Sequence, residues 1–535
     1  MPAKLSPHAF TRFWDLHAWA GVLGGLVLYV MFLAGGITLF HEQLETWEEP
    51  LAQTVAGDPA LQATLDRGLS ALGSMPADIW FRPSKDGRGA AKLVYQAPGQ
   101  TEWTTAWVDP ERPRLVPERE RLAGFLYALH FLWHDAVGNW LYYCAGLLAV
   151  ALLLALVTGV LIHLKDIVRQ FHQFRPEKSR RVLWSDMHKV LGVMGLPFQL
   201  MYAYTGAFIV LAPLLLQGFV GPVFGGDEKR AAEVAWGTSE PPKIPVRPVT
   251  AVLTVDDLAA RAQAARSDVR PEQYRLRSHG HVNGVFEAWG QDRGTPSARV
   301  VVRLQEADGA VLQIQSASRG GASSSARRWI NGLHYASFGG LPLRMLFFAL
   351  ALATCATILT GNWVWLARRD ARGRGAGNRV LARLTAGVGA GTLVAVAALF
   401  VASRLLPLDL AGRGTLEEFV FVGTLVACIG WALAVRDEHQ VWWQQLGLSG
   451  ALLMAVPPLA ARWSSAGLFG TGPRIAGVMG VDVAILLAAG ALCGTAFGLA
   501  LAARQVKQTA ASPEGDSTRV SERAVALTSA GGGDA

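Results

Sequence analysis

Charge is scarce in this sequence, and what there is lies unevenly. Asp, Glu, Lys and Arg make up 17% of 535 residues against 51% hydrophobic, with a mean hydropathy of +0.28. The apolar residues run together rather than recur with a surface-helix period, and several runs approach the ~20 residues that cross a bilayer core. A soluble fold is thereby excluded. There are only four cysteines, Cys144, Cys355, Cys428 and Cys493, each inside an apolar run and far from the others. They are small buried residues and not a disulfide framework. No C-x-x-C-H occurs, which rules out covalent c-type haem, and no G-x-G-x-x-G follows a strand, which removes the usual nicotinamide or flavin fingerprint.

The net charge of +8 does not indicate nucleic acid. Its basic residues gather in "HLKDIVRQFHQFRPEKSRR" and "LARRDARGRGAGNR", each directly after an apolar run, as expected of cytoplasmic loops beside anionic lipid. The first apolar run, Ala18 to Phe40, is too long for a signal-peptide core and lacks a cleavage-like motif, so it reads as an uncleaved span. The fold expected is mainly α: a polytopic membrane protein of about eight spans, near 17–40, 139–163, 188–215, 341–366, 381–406, 417–435, 441–461 and 475–502. Both termini are then cytoplasmic, and the chain divides into 1–41, the first span; 42–130, an outer module; 131–217, two spans with a basic loop; 218–330, a second outer module; 331–370, the fourth span; 371–504, a four-span extension; and 505–535, a polar tail whose composition predicts disorder.

Both outer segments read as small α+β modules. In the second, "VTAVLTVDDLAARAQAA" predicts a strand, a turn with an Asp helix cap, and a helix. "YRLRSHGHVNGVFEAWG" and "ARVVVRLQEADGAVLQIQS" alternate as antiparallel strands do, with "ADGA" as a hairpin turn. The first module repeats the order through "PALQATLDRGLSAL", "DIWFRPS", "AKLVYQAP" and "TEWTTAWVDP". Residues 1–370 are thus a duplication of span, module, span. His17 and Gly35 are 18 residues apart in span one, as are His188 and Gly206 in span three; His134 and Gly159 are 25 apart, His334 and Gly361 27. The last four spans contain no histidine.

Seven of the twelve histidines lie at or near the ends of the first four spans. His17, His163 and His188 fall at the cytoplasmic ends; His41, His130, His134 and His334 fall at the outer ends. Ionisable groups at such depth are costly and point to function. Glycine follows histidine by four residues in "HAWAG", "HDAVG" and "HKVLG", one helical turn away on the same face, which leaves room for a flat macrocycle. The steps Thr158-Gly159, Thr205-Gly206 and Thr360-Gly361 offer similar room. Such a pattern suits b-type haem, two in number, held by axial histidines from different helices. Repeat symmetry favours His17 with His188 for an inner haem and His134 with His334 for an outer one. His130, one turn before His134, aligns with His334 if "ALH" is matched to "GLH". His163 and His41 have no counterpart and remain ligands, propionate contacts or proton carriers.

The chain resembles the PepSY-associated transmembrane family, in its branch of inner-membrane ferric-siderophore reductases, over about residues 8–370. The resemblance rests on "WDLHAWAGVLGGL", "ALHFLWHDAVGNWL", "VTGVLIHLKDIVRQFHQFRPEKSRRVLWSDMHKVLGVMGLPFQL", "INGLHYASFGGLPLR" and "LTGNWVW". It implies a haem b protein of the bacterial inner membrane that passes electrons outward, with periplasmic PepSY-like modules. The expected acceptor is a ferric siderophore or other ferric chelate, and the donor is a quinol or a cytoplasmic reductase. Two other functions fit the residues: a divalent metal-ion carrier, using His17, His134 and His188 with neighbouring Asp15, Asp135 and Asp186, and a non-enzymatic regulator whose modules bind a partner. "SHGH" (His279, His281) reads as a surface turn, Trp80, Trp103, Trp107 and Trp289 as strand packing, and Asp482 as a rim acid or an intramembrane one. For the extension, bundle support or a homodimer face is the expectation.

Overall fold

The computed structural model describes residues 6–53, 60–73, 75–84, 89–97, 100, 102–118, 122–134, 137–164, 173–175, 177–236, 253–292, 299–316, 322–370, 375–462, 464–472 and 475–511. Most of the basic loop after His163, Asp135 and the tail beyond Ala511 lie outside them. The first repeat runs α1 (Pro7–Thr38), α2 (His41–Glu48), α3 (Leu61–Ser70), β1 (Asp78–Arg82), β2 (Lys92–Tyr95), β3 (Thr104–Val108), β4 (Leu115–Pro117), α4 (Leu122–His130) and α5 (Asn139–His163). The second follows the same order: α6 (Arg180–Phe224), α7 (Glu228–Trp236), α8 (Val255–Ala265), β5 (Val269–Arg277), β6 (Val285–Asp292), β7 (Arg299–Gln305), β8 (Val311–Ser316), α9 (Ala322–Tyr335) and α10 (Gly340–Asp370). The extension adds α11 (Ala376–Leu405), α12 (Arg413–Ala434), α13 (Glu438–Ala460) and α14 (Ala476–Ala511).

Seven helices among the described residues are long and apolar enough to cross a membrane: α1, α5, α6, α10, α11, α12 and α14. The expected span at 441–461 forms a helix, α13, but Gln444, Gln445, Pro457 and Pro458 dilute its apolar character, and it falls short. The helix packs within the extension, where buried Gln445 donates to the Cys428 carbonyl at 2.9 Å and Ser449 to that of Leu393 at 2.9 Å. All four cysteines are free, as expected, but only Cys355 and Cys428 are buried: Cys144 is exposed and Cys493 half-buried, because an apolar run in a spanning helix also presents side chains on its outer surface.

The two modules between the spans do not stand apart. Their strands form one eight-stranded antiparallel sheet, in the order β4-β3-β2-β1-β5-β6-β7-β8, joined where Ile79 opposes Leu276 and Trp80 opposes Arg275. Strand β4 was not foreseen. One face, with Ile79, Phe81, Leu93, Leu276, Phe286, Val302 and Leu304, packs on α3 and α8 as a single core. Each such fully buried side chain contributes roughly 1.5–3 kcal/mol. The other face carries the tryptophans: Trp80 meets Trp289 with ring centres 5.4 Å apart, and Arg275 lies 4.6 Å over Trp80. On the same face, Lys92 lies 4.3 Å over Trp107 and pairs with Glu45 of α2 and with Glu118. Burial works against the Glu45 anion, yet the Lys92 charge and hydrogen bond hold its carboxyl below the ordinary range; burial pushes Glu118 up.

The helix caps cross between the modules. Thr254, not an aspartate, caps α8, its hydroxyl accepting from Asp257 N at 3.1 Å. Asp256 instead caps α3 of the other module, accepting from the backbone N–H groups of Leu61 (2.8 Å) and Gln62 (2.9 Å), and Gln62 Oε1 returns the contact by accepting from Val255 N at 2.8 Å. Asp256→Ala therefore removes a cap from a helix 195 residues distant. A loss of about 1 kcal/mol is expected, with faster hydrogen exchange at the Leu61 and Gln62 amides rather than within α8; unchanged exchange there would contradict the cross-cap.

Candidate functional site

Four histidines converge in two pairs inside the bundle of α1, α5, α6 and α10. On the side of the 164–179 loop, His17 (α1) faces His188 (α6) with ring centres 6.1 Å apart and planes at 68°. On the side of the sheet, His130 (α4) faces His334 (α9) at 6.0 Å and 38°. Along α1, the 18 residues from His17 to the turn that receives His130 span roughly 27 Å at 1.5 Å per residue.

Each imidazole rests on a glycine of another helix. A Cβ on Gly159 would stand 3.0 Å from the His17 ring, one on Gly361 3.1 Å from His188, one on Gly35 2.4 Å from His130, and one on Gly206 3.7 Å from His334. The hydrogen bonds follow the same rule. His17 Nδ1 donates to the carbonyl of Ala155 (2.7 Å), His188 Nδ1 to that of Thr357 (2.9 Å) and His130 Nδ1 to that of Met31 (2.8 Å). In every case the acceptor lies four residues before the glycine. A helical side chain leans toward the N-terminus and covers the preceding turn, so a glycine uncovers the carbonyl one turn back. In the fourth case a threonine intervenes: Thr205 Oγ1 donates to the Met201 carbonyl (2.7 Å) and accepts from His334 Nδ1 (2.9 Å).

The three carbonyls have no proton to give, so His17, His188 and His130 carry theirs on Nδ1 and leave Nε2 with a free lone pair; at His334 the same tautomer follows from the Thr205 hydroxyl spending its proton on the Met201 carbonyl. A histidine nitrogen binds a first-row metal at about 2.0 Å and its ring centre lies about 1.1 Å further back, so two imidazoles on one metal stand roughly 6 Å apart. Both pairs meet that spacing.

Two cavities hold the pairs. The loop-side one, about 220 Å³, is lined by His17 and His188 with Gly21, Gly159, Gly192 and Gly361, and by His163, Lys189, Arg368 and Arg369. Gly21 and Gly192 are the glycines one turn after the ligand-like histidines, as the sequence spacing required. The sheet-side cavity, about 170 Å³, is lined by His130, His334, Gly206 and the phenols of Tyr127, Tyr142, Tyr202 and Tyr335. Leu28 and Leu152 lie on the walls of both, so one layer of aliphatic side chain separates them. The equivalent positions in the second repeat are Gln199 and Thr354, which bond to each other at 3.4 Å on the loop-side cavity only.

The expected pairing of His134 with His334 is not what the structure holds. His134 lies beyond the end of α4, 49% exposed and 3.5 Å from Glu418. His130 is the true counterpart: Leu132 and Ala336, each two residues past the facing histidine, both take positive φ, 58° and 46°. That shared break turns His134 away from the bundle. His41 begins α2, its ring 5.6 Å from Tyr127, and lines neither cavity. His163 lines the loop-side cavity. Asp186 is buried and held by Arg175 at 2.9–3.2 Å, an ion pair that braces α6 and is not an imidazole partner. His279 pairs with Glu306 in the 278–284 turn, and His281 is exposed. Sequence reasoning missed the glycine opposite each imidazole and the two leucines between the cavities; of the two readings of Asp482, the structure holds the buried one. The Thr-Gly steps were the one visible signal for the first.

The glycine rule makes a graded prediction. Gly35→Ala drives a methyl into His130 and breaks its bond to Met31, with an expected cost of about 1–3 kcal/mol. Gly206→Ala meets His334 at ordinary contact distance and is expected to be close to neutral. Thermal unfolding in one detergent orders the two variants; equal stability would contradict the packing.

The comparisons with known proteins agree with this architecture. A model of the "PepSY-associated TM region" matches residues 14–368, from just before His17 to the end of α10. An uncharacterized protein of Pseudomonas aeruginosa is 31% identical over 276 residues, covering 50% of this chain and 68% of that protein. The duplicated helices, the intervening strands and the matched region coincide, and the chain belongs to the PepSY-associated transmembrane family.

Proposed function

We propose that the protein is a haem b-containing reductase that carries electrons across the bacterial inner membrane to a ferric chelate such as a siderophore. One observation carries the proposal: two pairs of imidazoles, duplicated by the repeat, face each other at 6.1 and 6.0 Å with Nε2 free and a bare glycine behind each ring. His17 and His188 would hold one haem, His130 and His334 the other. A haem bound there would supply one-electron transfer.

The chain's own residues do the rest. Helix carbonyls fix three of the tautomers and the Thr205 hydroxyl the fourth, and such bonds also raise ligand basicity. Lys189, Arg368 and Arg369 at the loop-side cavity would neutralise acidic side arms of the cofactor, with His163 beside them. At the sheet-side cavity, which has no lysine or arginine among the described residues that line it, tyrosine hydroxyls would hydrogen-bond such arms without neutralising them. Leu28 and Leu152 keep water out of the path between the two centres. The basic residues that follow the apolar runs support a cytoplasmic loop side, where a quinol in the bilayer or a cytoplasmic reductase protein would deliver electrons. The sheet, with its arginine and tryptophan face, lies on the acceptor's side. A divalent-ion carrier is the weaker reading, because among the described residues no three metal-ligating side chains converge.

Purified protein is expected to be red, with two haems b per chain and split α-bands on reduction. His17→Ala or His188→Ala removes one haem and His130→Ala or His334→Ala the other, whereas His134→Ala retains both. In vesicles, each ligand variant lowers transfer from a quinol analogue to an external ferric chelate by about 10²-fold or more, as expected for a broken relay. Colourless protein, or full haem content after loss of His130, would overturn the assignment.

A further inference from the structure

The two histidines of the sheet-side pair are supported differently. In the second repeat, α9 is held by its own half: Tyr202 Oη donates to the His334 carbonyl at 3.0 Å, and Ser323 Oγ to the Val234 carbonyl of α7 at 2.8 Å. In the first repeat, α4 has only nine residues, too few to be stable alone; it packs on α1, where His130 bonds the Met31 carbonyl, and its other side is covered by the extension. Leu122, Ala123 and Leu126, at most 1% exposed, share one apolar cluster with Phe400, Phe421, Val456, Val478 and Ile485 of α11 to α14. Leu126 is one turn before His130.

A polar latch fastens this contact. Trp47 of α2 is 1% exposed and donates from Nε1 to Asp482 Oδ1 of α14 at 2.8 Å; the other oxygen of Asp482, itself 1% exposed, accepts from Leu468 N at 2.8 Å. The Arg404 guanidinium of α11 lies 4.0 Å over the Trp47 ring. Next along α2, Glu48 Oε1 accepts from Ala123 N at 3.4 Å, in the first turn of α4. Gln53 clasps the end of α2, donating to the carbonyls of Thr46 (2.9 Å) and Trp47 (2.8 Å) and accepting from Ser464 of the extension. A carboxylate taken into an apolar bundle is costly unless it is hydrogen-bonded, and Trp47 of α2 supplies one of the two bonds that Asp482 accepts, Leu468 N of the extension the other.

We infer that the C-terminal extension, which lies outside the matched family region, is a positioning domain for the sheet-side centre. It sets His130 through α4 and α2, with Trp47 and Asp482 as the latch. In the second repeat, α6 and α7 cover α9, and among the described residues the extension takes no part in the contacts that hold it. The inference rests on the sheet-side pair being iron ligands.

The test uses full-length protein in detergent, with the two haem signals in low-spin EPR and redox titration first assigned through His17→Ala and His334→Ala. Trp47→Phe keeps the ring and removes the donor; Asp482→Asn keeps one acceptor and removes the charge. Both are expected to shift the sheet-side signal and its potential, leave the loop-side ones in place, and let the haem-to-protein ratio fall from two toward one on prolonged dialysis. Gln445→Leu perturbs the extension away from the latch and is expected to change neither centre. Latch variants with an unaltered sheet-side signal would overturn the inference, as would equal shifts at both centres. Wild-type protein without haem would overturn the cofactor reading itself, and the inference with it, before any latch variant is made.

Discussion

An imidazole N–H bonded to the carbonyl of a neighbouring helix is the contact on which the rest of this bundle turns. A helical carbonyl already accepts from its own helix, and its second lone pair is normally covered by the side chain four residues on. Glycine at that position clears the approach, so the same residue that makes room for the ring also exposes its acceptor. Three of the four histidines use the bond directly and the fourth uses it through Thr205, whose hydroxyl is bonded back to its own helix. The consequence is chemical as well as geometric. Every ring is held in one tautomer and one orientation, with its metal-binding nitrogen turned into a cavity.

Duplication supplies this arrangement twice and then departs from symmetry where the two halves serve different ends. In the sheet, the halves meet edge to edge and exchange helix caps, so neither module is complete without the other. In the middle of the bundle, Leu28 and Leu152 of one half answer Gln199 and Thr354 of the other, which gives one apolar wall and one polar wall. At the sheet side, α6 continues outward and α7 folds back on α9, whereas α1 stops at Thr38 and α2 swings into the extension. The extension is thereby part of the architecture that surrounds His130, which its lack of histidine within the spans had concealed.

Particular elements show where local pattern was sufficient. The alternation in "VVVRLQEADGAVLQIQS" became a hairpin, and "DIWFR" and "KLVY" became strands, because a period of two on one buried face leaves little choice. The histidine-glycine spacing in "HAWAG" and "HKVLG" placed His17 and His188 in one cavity, since both lie on unbroken helices whose pitch is known. The same arithmetic failed for His134. There the helix ends at His130, the backbone turns through a positive φ at Leu132, and spacing counted along an ideal helix no longer applies. Asp256 misled for a related reason: it stands in the first turn of α8 and has the right chemistry for a cap, yet its carboxylate accepts from the N-terminus of a helix 195 residues away.

What the sequence determined by itself was periodic and local: the apolar lengths, the alternating strands, the repeat, and the chemical type of residue at the rims. These depend on neighbours within a turn or a pleat. The tertiary structure alone decided which histidine faces which, that two modules share one sheet, and that Asp482 meets Trp47 from 435 residues away. Such pairings arise when helices approach closely enough for one chain segment to satisfy polar groups that another leaves open, and no spacing along the chain encodes that distance.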